Sequence, residues 1–165
     1  MTRKLKLLHY ILFFISAFTF DRITKIWALD NLMSKNIKLF DGLNLTLVWN
    51  RGISWGLFSF KSLLGFVIVT SIILAVLILF TFHVRYQFKK RRDIYFEVLI
   101  LVGAVSNMFD RFLYGGVADF IDFYISKWHW PTFNFADLFV VIGVFGVLGR
   151  YLYYVYFRKA KRGMF

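Results

Sequence analysis

The sequence contains no cysteine, a single proline and few acidic residues. The absence of cysteine excludes a disulfide framework, a thiolate nucleophile and a cysteine-based metal site. The histidines, His9, His83 and His129, lie too far apart in the sequence to indicate a metal cluster. We therefore expect no metal and no other cofactor.

Negative charge is scarce, with 9 Asp and Glu residues against 21 Lys and Arg residues and a net charge of +12. The basic residues gather at the ends of apolar runs and do not form a continuous face. This pattern is typical of membrane proteins and differs from the basic stripe of a nucleic-acid-binding domain. We expect no nucleic acid among the partners.

Apolar residues are abundant: 59% of the chain is hydrophobic and 22% is aromatic. A soluble domain averages about 45 to 50% apolar residues, so the excess predicts burial in a bilayer. Four segments, about 7–29, 62–82, 94–114 and 137–157, are long enough to cross roughly 30 Å of hydrocarbon as helices. No linker or repeat divides the chain, so we predict a single-domain, all-α polytopic membrane protein with four transmembrane helices over 1–165.

Basic residues predict the orientation of these spans. Three precede the first span, five lie between the second and third, and four follow the fourth. Because positively charged flanks stay in the cytoplasm, both termini are predicted to be cytoplasmic, and the connections at 30–61 and 115–136 are predicted to face outward. The basic start MTRKLK imitates a signal peptide, but no small-residue cleavage site follows, so we expect an uncleaved first span.

The two outward connections have β and aromatic signals. The stretch IKLFDGLNLTLVWN combines an Asp-Gly turn with apolar alternation, which predicts a short hairpin. Tyr124, Trp128 and Trp130 are rings of the kind that settle at the headgroup level. We therefore expect a small β-like region at the outer membrane–water interface.

Polar residues recur near the outer ends of three predicted helices. They are Asp21 and Lys25 in the first, Asn107, Asp110 and Arg111 in the third, and Asn134 and Asp137 at the start of the fourth. Asp21 and Asn107 each lie about 22 Å beyond a basic flank, so these groups share one depth. A charge near the bilayer centre costs about 2.5 to 3.5 kcal/mol, and it usually pairs with another charge or lines a wet cavity.

Two interpretations of these charges stay open. The pairs Asp21 with Lys25 and Asp110 with Arg111 are either salt bridges that hold helices together or parts of a functional site.

Four other charged residues have simpler predicted roles. Glu97, near the basic inner loop, is expected to pair at the inner interface, and Arg150 is expected to extend to the inner headgroups. Asp122 and Lys127 are expected to be solvated loop residues.

Asp119 and Asp137 differ from these residues. Neither has a basic neighbour in the sequence, and each lies among aromatic residues, in VADFIDFY and FNFADLF. Two carboxylates in a poorly solvated site do not both ionise, so one of them keeps a proton. Aspartic hydrolases use such a pair to activate water and to hydrogen-bond the developing oxyanion. The two residues are a candidate catalytic dyad.

Five sequence blocks resemble the lipoprotein signal peptidases, or type II signal peptidases, of bacteria. The blocks are DRITK, NRGISWGLF, GAVSNMFDR, GGVADFIDF and FNFAD, in the order of that family. The resemblance implies an aspartic endopeptidase of the bacterial cytoplasmic membrane that needs no cofactor. Its implied substrate is a diacylglyceryl-modified prolipoprotein, cleaved just before the lipidated cysteine. Membrane lipids are the other expected partners, and we expect a monomer.

The resemblance also implies roles for individual residues. Asp119 and Asp137 match the catalytic dyad. The predicted substrate-binding or scaffold residues around it are Asn50, Gly52, Asn107, Asp110, Arg111, Asn134, Asp21 and Lys25. One departure is Ile53, which stands where the family often has a small residue, and we expect it to alter how that loop packs over substrate.

Three other functions are weighed against this one. A small transporter would have polar residues throughout the bilayer depth, whereas the second predicted span has no charge. A structural subunit would use its charges only to hold helices together. A Ser/Lys peptidase would need a pair such as Ser54 and Lys61, but Lys61 lies in a predicted loop at the start of a span.

Overall fold

The computed structural model describes residues 2–52 and 63–162, with side chains up to Tyr156. Within those ranges the helices are α1 (Arg3–Leu32), α2 (Leu63–Lys89), α3 (Tyr95–Tyr114) and α4 (Phe135–Arg162). The strands are β1 (Ile37–Phe40), β2 (Leu43–Asn50), β3 (Val117–Ile125) and β4 (Trp128–His129). At their basic ends α1, α2 and α4 run several residues past the predicted apolar segments, because a helix continues beyond the hydrocarbon into the polar headgroup layer, whereas α3 matches its predicted segment within one residue.

Three helices, α1, α2 and α4, are long and apolar enough to cross a membrane. At most 17% of their most apolar stretches is buried inside the protein, so their apolar side chains are left for lipid to cover. The remaining helix, α3, has 20 residues and carries Glu97, Asp110 and Arg111. It is the central helix of the bundle, since α1, α2 and α4 all pack against it.

Glycines bring α3 and α4 close together. Gly103 of α3 lies against the Ala136 backbone, and Gly143 and Gly146 of α4 lie against Phe96. Small residues let helix backbones approach closely in a membrane, where packing drives helix association. This contact positions the first turn of α4 relative to the C-terminal half of α3.

The strands form one antiparallel sheet in the order β1-β2-β3-β4. The predicted hairpin is confirmed as β1 and β2, joined by a turn in which Gly42 has φ 104°. The predicted connection at 115–136, for which no strand was assigned, contains the nine-residue strand Val117–Ile125, which pairs with β2. The run VADFIDFYI does not alternate between apolar and polar residues, since six of its residues are buried, and sequence periodicity therefore did not reveal it.

Two chain features connect the sheet to the helices. Gly115 ends α3 in a left-handed conformation, with φ 67°, and its N–H bonds the Arg111 carbonyl. This is a common helix-ending geometry for glycine, and it turns the chain directly into β3. The C-terminal end of α1 then packs against the sheet through the buried residues Ala28, Leu32, Phe120 and Ile121.

We predict that Gly103→Ala destabilises the protein by about 1 to 3 kcal/mol, as is usual for overpacking. A methyl group at this position would overlap the Ala136 carbonyl oxygen. Gly149→Ala is the matched control, because no atom lies within 4 Å of a methyl group placed there. Unfolding in detergent followed by circular dichroism measures both effects, and equal stability of the two variants would contradict the close packing of α3 on α4.

Candidate active site

Asp119 and Asp137 are brought together by Asn134. Its side-chain Nδ2 donates to Asp119 Oδ1 at 2.6 Å, and its backbone N–H donates to Asp137 Oδ2 at 3.2 Å. Asn134 is fully buried. A strand carboxylate and a helix carboxylate therefore share one rigid hydrogen-bond donor residue.

Asp137 lies in the first turn of α4, where the local sequence forms a capping box. Asn134 Oδ1 accepts from the Asp137 N–H at 3.0 Å, while Asp137 accepts from the Asn134 N–H. Such reciprocal bonds satisfy two N–H groups at a helix start, and the positive end of the helix dipole favours negative charge there. Asn107 Nδ2 donates to the other Asp137 oxygen at 2.8 Å.

Asp119 lies on β3 and is 1% exposed. The register pairs it with Val48 and pairs Asn50 with Val117, so Asn50 is its diagonal neighbour across the strands. Asn50 Nδ2 donates to Asp119 Oδ2 at 3.0 Å, and Asn50 Oδ1 accepts from the Gly52 N–H at 2.9 Å. Both oxygens of Asp119 thus accept hydrogen bonds from asparagine side chains.

The pKa of Asp119 is raised from its ordinary value of 3.8 to about 7. Burial is the main cause, and the negative charge of Asp137 is the second. Hydrogen bonds from Asn50 and Asn134 oppose the rise. The shared contacts with Asn134 keep the two carboxyl groups close enough for this electrostatic effect.

Lys25 of α1 bonds Asn107, the residue that donates to Asp137, and its side chain is 1% exposed. Its ammonium group contacts Asp21 at 3.0 Å, Asp110 at 2.8 Å and Asn107 Oδ1 at 2.8 Å. Three acceptors match the three donors of an ammonium group. Lys25 is therefore fully bonded, and through Asn107 it fixes the amide that contacts Asp137.

Asp21 connects α1 to both neighbouring helices. Its Oδ1 accepts from the Ala136 N–H at 2.8 Å, in the first turn of α4, and its Oδ2 accepts from Ser106 Oγ at 2.5 Å. Together with its contact to Lys25, this makes Asp21 both an ion-pair partner and a cap on another helix.

The interpretation of Asp110 and Arg111 as a salt-bridged pair is wrong. Asp110 pairs with Arg22 at 2.6 Å and with Lys25, because consecutive helical residues point about 100° apart. Arg111 instead donates to the Gly52 carbonyl and lies 5.8 Å from the centre of the Phe66 ring. Arg111 thereby holds the chain in place at Gly52, two residues after the end of β2.

The charges of this cluster are nearly balanced. The four carboxyl groups are Asp21, Asp110, Asp119 and Asp137, and the three cations are Arg22, Lys25 and Arg111. If every group were ionised, the buried cluster would carry one excess negative charge. One proton retained by Asp119 and Asp137 makes it neutral, which is the favourable state in a poorly solvated site.

All ten predicted site residues lie in this one network. Arg22 and Ser106, which were not predicted, also belong to it. Arg22 follows Asp21 in the DRITK block, and Ser106 precedes Asn107 in the GAVSNMFDR block. Their position beside predicted site residues was the only sequence signal that could have indicated them.

Asp122 corrects another prediction, since it is not a solvated loop residue. It is 5% exposed on β3, accepts from Asn44 Nδ2 at 3.2 Å and lies 2.8 Å from His129 Nδ1.

Lys127 is exposed as expected, and Glu97 pairs with Arg150. No group of three potential metal ligands occurs in the part of the chain that the structure describes.

Comparison with known proteins identifies the family. The sequence profile described as signal peptidase (SPase) II matches residues 13–153. The chain belongs to the signal peptidase II family. It is 40% identical over 134 residues to a lipoprotein signal peptidase of Wigglesworthia glossinidia brevipalpis, a match that covers 80% of this chain and 86% of the relative. It is 40% identical over 131 residues to one of Pelagibacter ubique, with 78% of each chain covered.

Solved structures agree with this family assignment. A bacterial membrane enzyme determined by the in meso method at 2.3 Å resolution superposes with a TM-score of 0.73 and 29% identity, over 90% of each chain. A second, at 1.9 Å resolution, has a TM-score of 0.69 and 28% identity, over 87% of this chain and 92% of the other. Membership of a peptidase family of membrane enzymes favours hydrolysis over transport or a purely structural role. Ser54, Lys61 and Ile53 lie outside the described residues.

We predict that Asp21→Asn lowers the free energy of unfolding by about 3 kcal/mol, since it leaves a buried ammonium with one charge partner fewer. Activity per folded molecule should fall much less, because Asp21 contacts neither Asp119 nor Asp137 directly. Asp93→Asn is the control: Asp93 pairs with Lys6 at 3.2 Å but its side chain is 72% exposed, so its loss should cost less than about 1 kcal/mol. A folded but inactive Asp21→Asn variant would contradict a purely structural role.

We also predict that Asp119 makes stability depend on pH. The folded chain holds this proton more tightly than the unfolded chain, so the contribution is complete below about pH 4 and is lost as pH rises to about 7. Thermal unfolding in detergent across this range should show a decline that is reduced in Asp119→Asn. In Asp41→Asn the decline should persist, because Lys38 lowers the pKa of exposed Asp41 and its linkage has the opposite sign. An unchanged decline in Asp119→Asn would refute the assignment.

Proposed function

We propose that this chain is an aspartic endopeptidase of the bacterial cytoplasmic membrane. Its substrate is a diacylglyceryl-modified prolipoprotein, and the bond cleaved is the one just before the lipidated cysteine. The observation that carries the proposal is the pair of carboxyl groups held by Asn134 at the start of α4. The family assignment supports the lipoprotein substrate, since the relatives carry the name lipoprotein signal peptidase.

The two carboxyl groups take different parts in the proposed reaction. Asp137 lies at the positive end of α4 and is the ionised member, which takes a proton from water. The water oxygen bonds to the scissile carbonyl carbon, while protonated Asp119 donates a hydrogen bond to the developing oxyanion. The C–N bond then breaks, and the proton held by Asp137 passes to the leaving amine.

The surrounding amides and cations position these groups. Asn50 and Asn107 each donate to one aspartate, so neither carboxyl group can rotate freely. Arg111 holds the carbonyl of Gly52 at the end of the adjacent segment. Such fixed dipoles lower the reorganisation needed when charge develops in the transition state.

The proposed topology has four spans in a single domain, with both termini in the cytoplasm. At 20 residues α3 is about 30 Å long. Glu97 and Asp110, near its two ends, are in ion pairs, and Arg111 donates to the Gly52 carbonyl. Asp119 and Asp137 lie at the opposite end of the bundle from the contacts of Lys6 with Asp93 and of Arg150 with Glu97. The dyad is then near the outer leaflet, where a diacylglyceryl group holds its scissile bond, and a monomer contains the whole site.

We predict that Asp119→Asn and Asp137→Asn each lower cleavage by roughly three orders of magnitude or more, because dyad members act as a unit. The assay uses full-length protein in detergent with a diacylglyceryl-modified prolipoprotein, and it follows the released signal peptide by mass spectrometry.

Asp122→Asn is the matched control, since Asp122 is also a buried aspartate on β3 but contacts Asn44 and His129. It should retain cleavage within a few-fold of the unsubstituted protein. Cleavage by both dyad variants would refute the aspartic mechanism. Equal cleavage of the unlipidated precursor would refute lipid recognition while leaving the mechanism intact.

A further inference from the structure

A basic cavity of about 330 Å³ lies at the end of the bundle opposite the candidate active site. It is lined by Thr2, Arg3, Lys6, Phe88, Arg91 and Arg92. Four of these six residues are cations. The cavity shares no residue with the network around Asp119 and Asp137.

Little negative charge compensates these cations. Asp93 pairs with Lys6 at 3.2 Å. In the described ranges no carboxylate lies within ion-pair distance of Arg3, Arg91 or Arg92, and Arg92 bonds only the neutral Gln87 side chain, at 2.9 Å. Arg3, Arg91 and Arg92 can therefore accept an anion without giving up a carboxylate partner.

The cavity is built by two parts of the chain that are distant in sequence. The N-cap and first turn of α1 supply Thr2, Arg3 and Lys6. The end of α2 and the turn that follows it supply Phe88, Arg91 and Arg92. The turn has a defined geometry: the Arg91 N–H bonds the Phe88 carbonyl at 3.0 Å, and Arg91 has φ 58°. Few non-glycine residues adopt this left-handed conformation. In this turn the consecutive residues Arg91 and Arg92 both line the cavity.

An aromatic wall gives the cavity an apolar side. Arg3 lies 5.2 Å from the centre of the Phe88 ring, which is within the range of a cation–π contact. Phe88 also packs edge-on against Tyr10 at 6.1 Å. A ligand that bears both an anionic group and an apolar part fits this combination better than a free anion does.

The arrangement goes beyond the positive charge that topology requires. Arg85 and Lys89 lie on the same end of α2 and are exposed, yet they do not line the cavity. The orientation of a membrane protein depends on how many basic residues its cytoplasmic loops contain, and not on whether these residues line a common cavity. Arg85 and Lys89 would therefore favour the same orientation without lining the cavity. Convergence of cations on a cavity is instead typical of a lipid headgroup site.

We propose that this cavity binds the headgroup of an anionic phospholipid in the leaflet at the basic end of the bundle. Its phosphate lies among Arg3, Arg91 and Arg92, and its glycerol portion lies against Phe88. The acyl chains follow the exposed apolar surfaces of α1 and α2, which include Leu7, Leu8 and Phe82. In the proposed topology this is the cytoplasmic leaflet, so the bound lipid would link the start of α1 to the turn between α2 and α3.

The test compares two double variants that remove the same charge. Arg3→Ala with Arg92→Ala removes two cavity cations, and Arg85→Ala with Lys89→Ala removes two cations outside it. Full-length protein in mild detergent is titrated with phosphatidylglycerol or phosphatidylethanolamine, and bound lipid is counted by native mass spectrometry. We expect phosphatidylglycerol to bind preferentially, with affinity lower by about tenfold or more in the cavity variant and within about twofold in the control.

Controls distinguish lost binding from lost folding. Arg3→Lys with Arg92→Lys keeps the charge and should retain most of the affinity. Thermal unfolding without added lipid should be the same for all variants, and added phosphatidylglycerol should raise the midpoint except in the cavity variant. Equal loss of affinity in both alanine variants would overturn the proposal in favour of diffuse attraction. Displacement of the lipid by an equal concentration of inorganic phosphate would overturn it in favour of a soluble anion.

Discussion

The buried ammonium group of Lys25 is the interaction on which the rest of the structure depends. It lies where α1 meets α3, and it contacts Asp21, Asp110 and Asn107. An uncompensated cation at this depth would be expensive, so its three partners must stay in place together. Because Asp21 also caps α4 and Asn107 also contacts Asp137, the requirement extends to every helix that surrounds the dyad. This ion network thus contributes both to helix packing and to the geometry of the site.

Much of the fold and the site could be predicted from the sequence, because hydrocarbon thickness fixes the length of apolar runs and the cost of burial limits where charges occur. The Asp-Gly turn identified the β1–β2 hairpin, since that dipeptide suits a tight turn. The five sequence blocks placed Asn50, Asn134 and the two candidate catalytic aspartates in one family pattern. Their physical convergence then followed from their common depth in the bundle.

Other features were beyond prediction because they depend on direction and on pairing between distant segments. Adjacency in sequence suggested that Asp110 pairs with Arg111, whereas helix geometry directs Asp110 to Arg22. The strand β3 lacks alternation because β2, α1 and the segment before α4 cover it, so it looked like a connection. Asp122 looked solvated for the same reason, although the sheet buries it beside Asn44 and His129.

The capping box at the start of α4 has a consequence for biosynthesis. Asp119 is synthesised before Asp137, and Asn134, the donor that joins them, is held by the first turn of the final helix. A nascent or truncated chain that lacks this last helix therefore has only one of the two proposed catalytic aspartates. Under the proposed mechanism it cannot cleave a peptide bond. Cleavage by this mechanism requires the complete helix bundle.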